Sequence, residues 1–126
     1  MKFIKLSITL LLSLFATLVN AQQIFTYVDP TDTESLHKVY LKYSDDSKNS
    51  LMVIPAPKDS VPYSGDFEIP LSLKITKTES NGEQHTDYIP VNKIDQQAFS
   101  GTSITSIKMG HVTEIGNNAF YNCTKL

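Results

Sequence analysis

The chain has 126 residues, with eleven Lys and no Arg, thirteen Asp and Glu, three His, one Cys and no Trp, for a formal net charge of −2. An Arg-free, mildly acidic chain lacks the basic patches that hold nucleic-acid phosphates or an anionic membrane surface. A single cysteine gives no disulfide framework, and the length admits one small domain.

The first 21 residues read as a signal peptide. Residues 1–5 carry two lysines, and residues 6–19 form an apolar run broken only by Ser7, Thr9, Ser13 and Thr17. Val19-Asn20-Ala21 then presents modest side chains where a leader is cleaved, after Ala21. The run is shorter than the roughly 20 apolar residues of a membrane span, so no membrane insertion is expected after cleavage. No Cys lies near the cut to take a lipid anchor. The mature chain would begin at Gln22, and losing Lys2 and Lys5 would take its charge to −4.

Residues 22–90 read as a β-rich N-terminal cap. A strand over 24–28 ends at Asp29-Pro30, and residues 31–37 are a polar loop. Val39-Tyr-Leu-Lys-Tyr43 alternates, with residues 39, 41 and 43 on one face. A polar turn over 44–49 and an apolar return over 51–54 complete a hairpin. Tyr63-Ser-Gly65 reads as a turn and residues 66–69 as a short strand closed by Pro70. Residues 73–77 and 85–89 form a second hairpin about Glu79-Ser-Asn81-Gly82, and Pro90 hands the chain on. A small immunoglobulin-like sandwich is the alternative for 24–90, but it needs about seven strands and only five or six can be counted.

The last third repeats. Ile94 and Ile115, Ala98 and Ala119, and Phe99 and Phe120 are each 21 residues apart (115 − 94, 119 − 98, 120 − 99). Ile104 matches Leu126 only with one residue inserted near Cys123. The apolar residues Ile104, Ile107, Met109, Val112 and Ile115 follow neither a helical stripe nor simple alternation. They suit a coil of short strands and tight bends. Ile107-Lys108-Met109 is a strand with Lys108 outward, Gly110 and Gly116 supply backbone angles other residues dislike, and Asn117-Asn118-Ala119-Phe120 is one helical turn. One coil cannot bury both faces, and about three repeats are needed for stability. The chain carries one full copy and about half of another, so residues 91–126 read as the start of a solenoid left incomplete.

The segment Ile115-Gly116-Asn-Asn-Ala119-Phe120-Tyr-Asn-Cys123-Thr-Lys-Leu126 resembles the BspA-type leucine-rich repeats of bacterial surface proteins. The preceding copy keeps Ile94, Ala98, Phe99, Ile104 and Ile107, but has Asp95 in place of Gly and no Cys. The lead-in Tyr63-Ser-Gly-Asp-Phe-Glu-Ile-Pro70 and Ile89-Pro-Val-Asn-Lys-Ile94 is also similar to that family. The resemblance implies a mainly β fold, an N-terminal hairpin cap leading into a truncated leucine-rich-repeat solenoid. It further implies a secreted or cell-surface protein that adheres to matrix proteins or to other cells.

No catalytic constellation is legible. His37, His85 and His111 are far apart, and no HExxH, Gly-x-Ser-x-Gly, phosphate-loop or dinucleotide pattern occurs. Asp45-Asp46 lacks the glycine and terminal Glu of a calcium loop and reads as a hairpin turn. Cys123 reads as a small buried residue stacked on its counterpart in the next coil. Asn122-Cys-Thr124 matches a glycosylation sequon, accidental in a bacterial protein. The expectation is a non-catalytic binding module with no catalytic, cofactor or metal residues. Its partner would be a protein or glycan, not nucleic acid, with Thr105, Lys108, Thr113 and Glu114 as outward-facing candidates. Ile115, Phe120 and Leu126 on an uncovered end would drive self-association. The rival readings are the leader and cap of a longer secreted enzyme, or a truncated inactive product.

Overall fold

The computed structural model describes residues 23–30 and 38–126. Residues 1–21, read above as a signal peptide, and residues 31–37, read as a polar loop that includes His37, lie outside the described residues. The described residues form eight strands: β1 Phe25–Val28, β2 Lys38–Tyr43, β3 Leu51–Val53, β4 Ser64–Glu68, β5 Ser72–Thr78, β6 Gln84–Ile94, β7 Ser103–Lys108 and β8 Glu114–Ile115. Among the described residues there is no helix. The fold is mainly β, as the patterning predicts.

The first hairpin forms where expected. β2 and β3 run antiparallel with Leu41 opposite Val53 and Tyr43 opposite Leu51, and β1 adds outside β2. Alternation puts Val39 and Leu41 inward, and both are buried. Asp45 closes the loop by accepting the Ser47 amide at 3.0 Å and the Ser47 hydroxyl. The free edge of β3 then pairs parallel with the end of β6, and β6 pairs parallel with β8. A second parallel ladder joins β4 to β7. These two ladders are the walls of a stacked coil. Residues 51–71 form its first turn, 91–111 its second, and the chain from 112 its third.

The irregular apolar spacing has a local cause. Gly65 opposes Ile104 but Asp66 opposes Ser106, so Thr105 is an extra residue in β7. Leu51 opposes Val91 but Met52 opposes Lys93, so Asn92 is extra in β6. Each bulge restores the inward face one residue late. Val91 and Ile94 are therefore both fully buried, and Ile107 packs on the core below buried Ile104. Ser64 and Gly65, read above as part of a turn, instead open β4, with Gly65 at φ 68° beside the register shift.

The Ala-Phe segment is not a helical turn. Gln97 and Asn118 both sit at φ 57°, in the left-handed region, which a helix does not tolerate. The result is a run of linked turns. The amides of Ala98, Ser100 and Thr102 bond back within their own coil, to the carbonyls of Asp95, Gln97 and Phe99. The alternate amides of Gln97, Phe99 and Gly101 bond across to the next coil, at Asn117, Ala119 and Tyr121, over 2.8–3.1 Å. Every amide in the run is thereby satisfied. Gly116 is needed for approach, not for backbone angle: a Cβ there would lie 2.4 Å from the Gln96 nitrogen.

Pro90 ends the second hairpin's pairing but not its strand. β6 runs through it, pairing with β5 before it and with β3 and β8 after it. The Val91 amide donates to Leu71 at 3.0 Å, so the neighbouring position 90 falls where an antiparallel strand points its nitrogen away from β5. A residue without an N–H loses nothing there.

One core binds the parts. Val39, Leu41, Val53, Tyr63 and Phe67 form a single buried cluster with Val91, Ile94, Phe99, Ile104 and Ala119. An aromatic column runs through it. Phe99 lies 5.0 Å from Tyr63, 5.2 Å from Phe67 and 5.4 Å from Phe120, the last pair nearly parallel. Such pairs each add about 0.5–1.5 kcal/mol beyond burial. The Tyr63 hydroxyl donates to Ile54 at 2.7 Å and accepts from the Tyr40 amide at 3.1 Å, pinning the hairpin to the first coil. Burial pushes the Tyr63 pKa well above the ordinary tyrosine range.

Candidate binding groove

Ladder register places four side chains in one row, three of them charged and one, Met52, buried beneath them. Lys42 on β2 opposes Met52 on β3, Met52 opposes Lys93 on β6, and Lys93 opposes Glu114 on β8. Their inward neighbours Leu41, Val53 and Ile94 fill the core, so the row can change without emptying it. The upper part of this row lines a groove of about 300 Å³, walled by Met52, Lys93, Asp95, Gln96, Glu114 and Asn117.

The groove is polar and charge-paired. The Lys93 ammonium lies 2.8 Å from the Glu114 carboxylate, whose hydrogen bond and charge raise the Lys93 pKa. Lys42 lies 3.7 Å from Asp95. Asp45, below this row, is held below the usual carboxylate range by the hydrogen bond from Ser47. Met52 is a nearly buried, polarizable floor. Such a surface can hold an extended polar ligand by ion pairs and hydrogen bonds. It offers no paired nucleophile and base.

The four outward candidates do not meet. Glu114 is in the groove. The Thr113 hydroxyl is turned to the Asn92 carbonyl at 3.3 Å, a coil-to-coil bond. Thr105 stands on β7, where its hydroxyl and that of Ser106 both donate to Asp66, at 3.0 and 2.7 Å. Lys108 ends the same strand. Lys93, Met52 and Lys42 were missed, although Lys93 stands one repeat before Glu114. The missing information was the pairing of β3 with β6, which no local pattern carries.

Of the chemistry-bearing residues, His85 is exposed and 4.0 Å from Glu79, and His111 is exposed in a turn. Among the described residues no three His, Cys, Asp or Glu gather as metal ligands, and no helix is long and apolar enough to cross a membrane. Cys123 is half-buried. Its thiol donates to the Phe99 carbonyl at 2.9 Å and lies 3.7 Å from the Thr102 hydroxyl.

The stacked coils and linked turns define a leucine-rich-repeat solenoid. Residues 74–126 match the model of the BspA type leucine rich repeat region (6 copies), and this segment of the chain is a repeat of that type. No curated protein and no solved structure matches the chain.

Proposed function

We propose that the chain is a secreted or cell-surface adhesion module that binds a protein or glycan through the groove on the β3–β6–β8 ladder, without catalysis. The repeat family is one of surface and binding modules and generally of non-catalytic scaffolds. The observation that carries the reading is the row Met52, Lys93, Glu114, which the ladder fixes and in which Lys93 and Glu114 stand outside the core over buried Met52. Solenoids present such rows as extended binding surfaces. In the same reading residues 1–21 are the leader, and strands β1 and β2, ahead of Leu51, cap the solenoid whose first coil is residues 51–71. The shared burial of Val39, Leu41 and Tyr63 with Ile94, Phe99 and Ile104 supports that role.

The test is binding of the mature chain to immobilised extracellular-matrix proteins and glycan arrays, beside the double variant Lys93→Ala/Glu114→Ala. Both side chains are solvent-accessible, so the variant should melt like the parent while losing the interaction. Equal binding by the two proteins would remove the groove from the reading.

A further inference from the structure

The hairpin β5–β6 interrupts an otherwise regular coil. The second and third coils are 21 residues apart, as the bond from Thr113 to Asn92 shows. The first and second are 40 apart, from Leu51 to Val91. The excess of 19 (40 − 21) is the length of the segment 72–90. That segment pairs wholly with itself, from Ser72 opposite Pro90 to Thr78 opposite Gln84. Its base is closed by the 3.0 Å bond between the Val91 amide and the Leu71 carbonyl. Joining residue 71 to residue 91 would restore the repeat. The hairpin is thus an arm inserted into the first coil.

Its outer edge is open. Among the described residues β5 has β6 as its one neighbour. The bonded pairs at the two ends of the hairpin, Val91 with Leu71 and Glu79 with Glu83, fix the alternation. Residues 73, 75 and 77 turn their main-chain groups toward β6, and residues 72, 74, 76 and 78 turn theirs outward. Two lysines stand on this strand. Lys74 faces Tyr88 and Lys77 faces His85 across the ladder. Neither Lys74 nor Lys77 takes part in the ion pairs Lys42–Asp95, His85–Glu79 and Lys93–Glu114. The carboxylates of the hairpin, Glu79, Glu83 and Asp87, stand in its turn or on β6 and none stands on β5, so Lys74 and Lys77 are the charges nearest a strand added at the outer edge. A second copy of β5 would bring four lysines onto one short ladder, the device by which edges resist self-pairing. A strand rich in carboxylates would be attracted.

We propose that the β5 edge of the arm binds an extended acidic segment of a partner polypeptide by strand addition. The main chain of Lys74 and Thr76 supplies the hydrogen bonds, and Lys74 and Lys77 supply the charge preference. This site is separate from the groove.

The test uses the mature chain at low salt with labelled short peptides of Glu-Glu-Thr repeats, which carry Glu on both faces of a strand, of Lys-Lys-Thr repeats, and the acidic peptide with alternate backbone nitrogens methylated. The acidic peptide should bind, and the basic and methylated ones should not. Lys74→Glu/Lys77→Glu should weaken the acidic peptide at least about tenfold. Thr76→Pro removes an outward N–H that a free edge does not need, so it should keep the parent's melting curve and lose the peptide. The chain with 72–90 deleted should fold and not bind. Lys93→Ala/Glu114→Ala should bind the peptide as the parent does, which separates this site from the groove. The proposal is overturned if the folded parent ignores the acidic peptide, if acidic and basic peptides bind equally, or if binding survives Thr76→Pro. Loss of the peptide in the groove variant would also overturn it. A deleted chain that does not fold would overturn the insertion, and Thr76→Pro would still decide the edge.

Discussion

A single hydroxyl joins two layers of the molecule at Tyr63. It satisfies the Ile54 carbonyl and the Tyr40 amide, which β2 and β3 leave to it. In Tyr63→Phe both groups lose their partner, at about 1–3 kcal/mol at neutral pH. The pH dependence has a definite sign. Burial favours the neutral phenol, so the folded state keeps its proton to higher pH than the unfolded chain. Below the ordinary tyrosine pKa of about 10 both states are protonated and the stability is fully present. As pH rises through that value the unfolded chain gains by ionising, and stability falls. Urea midpoints measured between about pH 8 and 11 should show this alkaline decline. Tyr63→Phe should show a smaller one, the remainder coming in part from Tyr27, whose pKa burial also raises. An equal decline in both proteins would show that Tyr63 does not carry it. Nothing in the sequence marks Tyr63 for this role, because its partners lie 9 and 23 residues away.

Among the elements, the junction between coils depends on backbone meeting backbone. Gly116 lets the third coil settle onto Asp95 and Gln96, with the Gly116 amide on the Ile94 carbonyl at 2.8 Å. A Cβ in that space meets main chain, which cannot swing aside. Gly116→Ala should therefore destabilise by about 1–3 kcal/mol through overpacking, and should selectively raise amide exchange at Phe99 and Gly101, whose bonds cross to the third coil. Gly101→Ala is the comparison. It has open space around its Cβ but a φ of 70°, so it should strain its own turn and leave the Gly116 junction closed. Exchange measured residue by residue separates the two. The glycine itself was visible in the sequence. Its reason was not, since a strained φ and a close approach look alike until the neighbouring coil is placed.

For the whole molecule, the exposed face of the third coil matters most. Ile94 is fully buried, whereas its repeat mate Ile115 is 53% exposed. Tyr121 and Leu126 are also exposed beside half-buried Phe120. The amides of Asn118, Phe120 and Asn122 occupy the positions from which Gln97, Phe99 and Gly101 reach the next coil, and have no acceptor among the described residues. A face that is both apolar and hydrogen-bonding associates. Residues 22–126 should sediment as concentration-dependent oligomers, and Ile115→Ser with Leu126→Ser should shift them toward monomer. A parent that stays monomeric across the accessible concentration range would show the face to be inert.

The sequence by itself determined what is local. Period-two alternation set β2 and its inward residues, the Asn81-Gly82 signal set the second turn, and the spacing of Ala98-Phe99 and Ala119-Phe120 set two coils that stack. Each of these depends on neighbours a few residues apart or on a repeat that copies itself. Tertiary structure alone decided the rest. The first coil carries no Ala-Phe pair, and the inserted arm moves it out of the 21-residue period, so β3 and β4 look like cap strands until β6 and β7 pair with them. The bulges at Asn92 and Thr105, the linked turns in place of a helical one, and the row from Met52 to Glu114 all follow from parallel pairings. A parallel partner is chosen by how the whole coil closes on its neighbour, and that choice leaves no short-range mark on the chain.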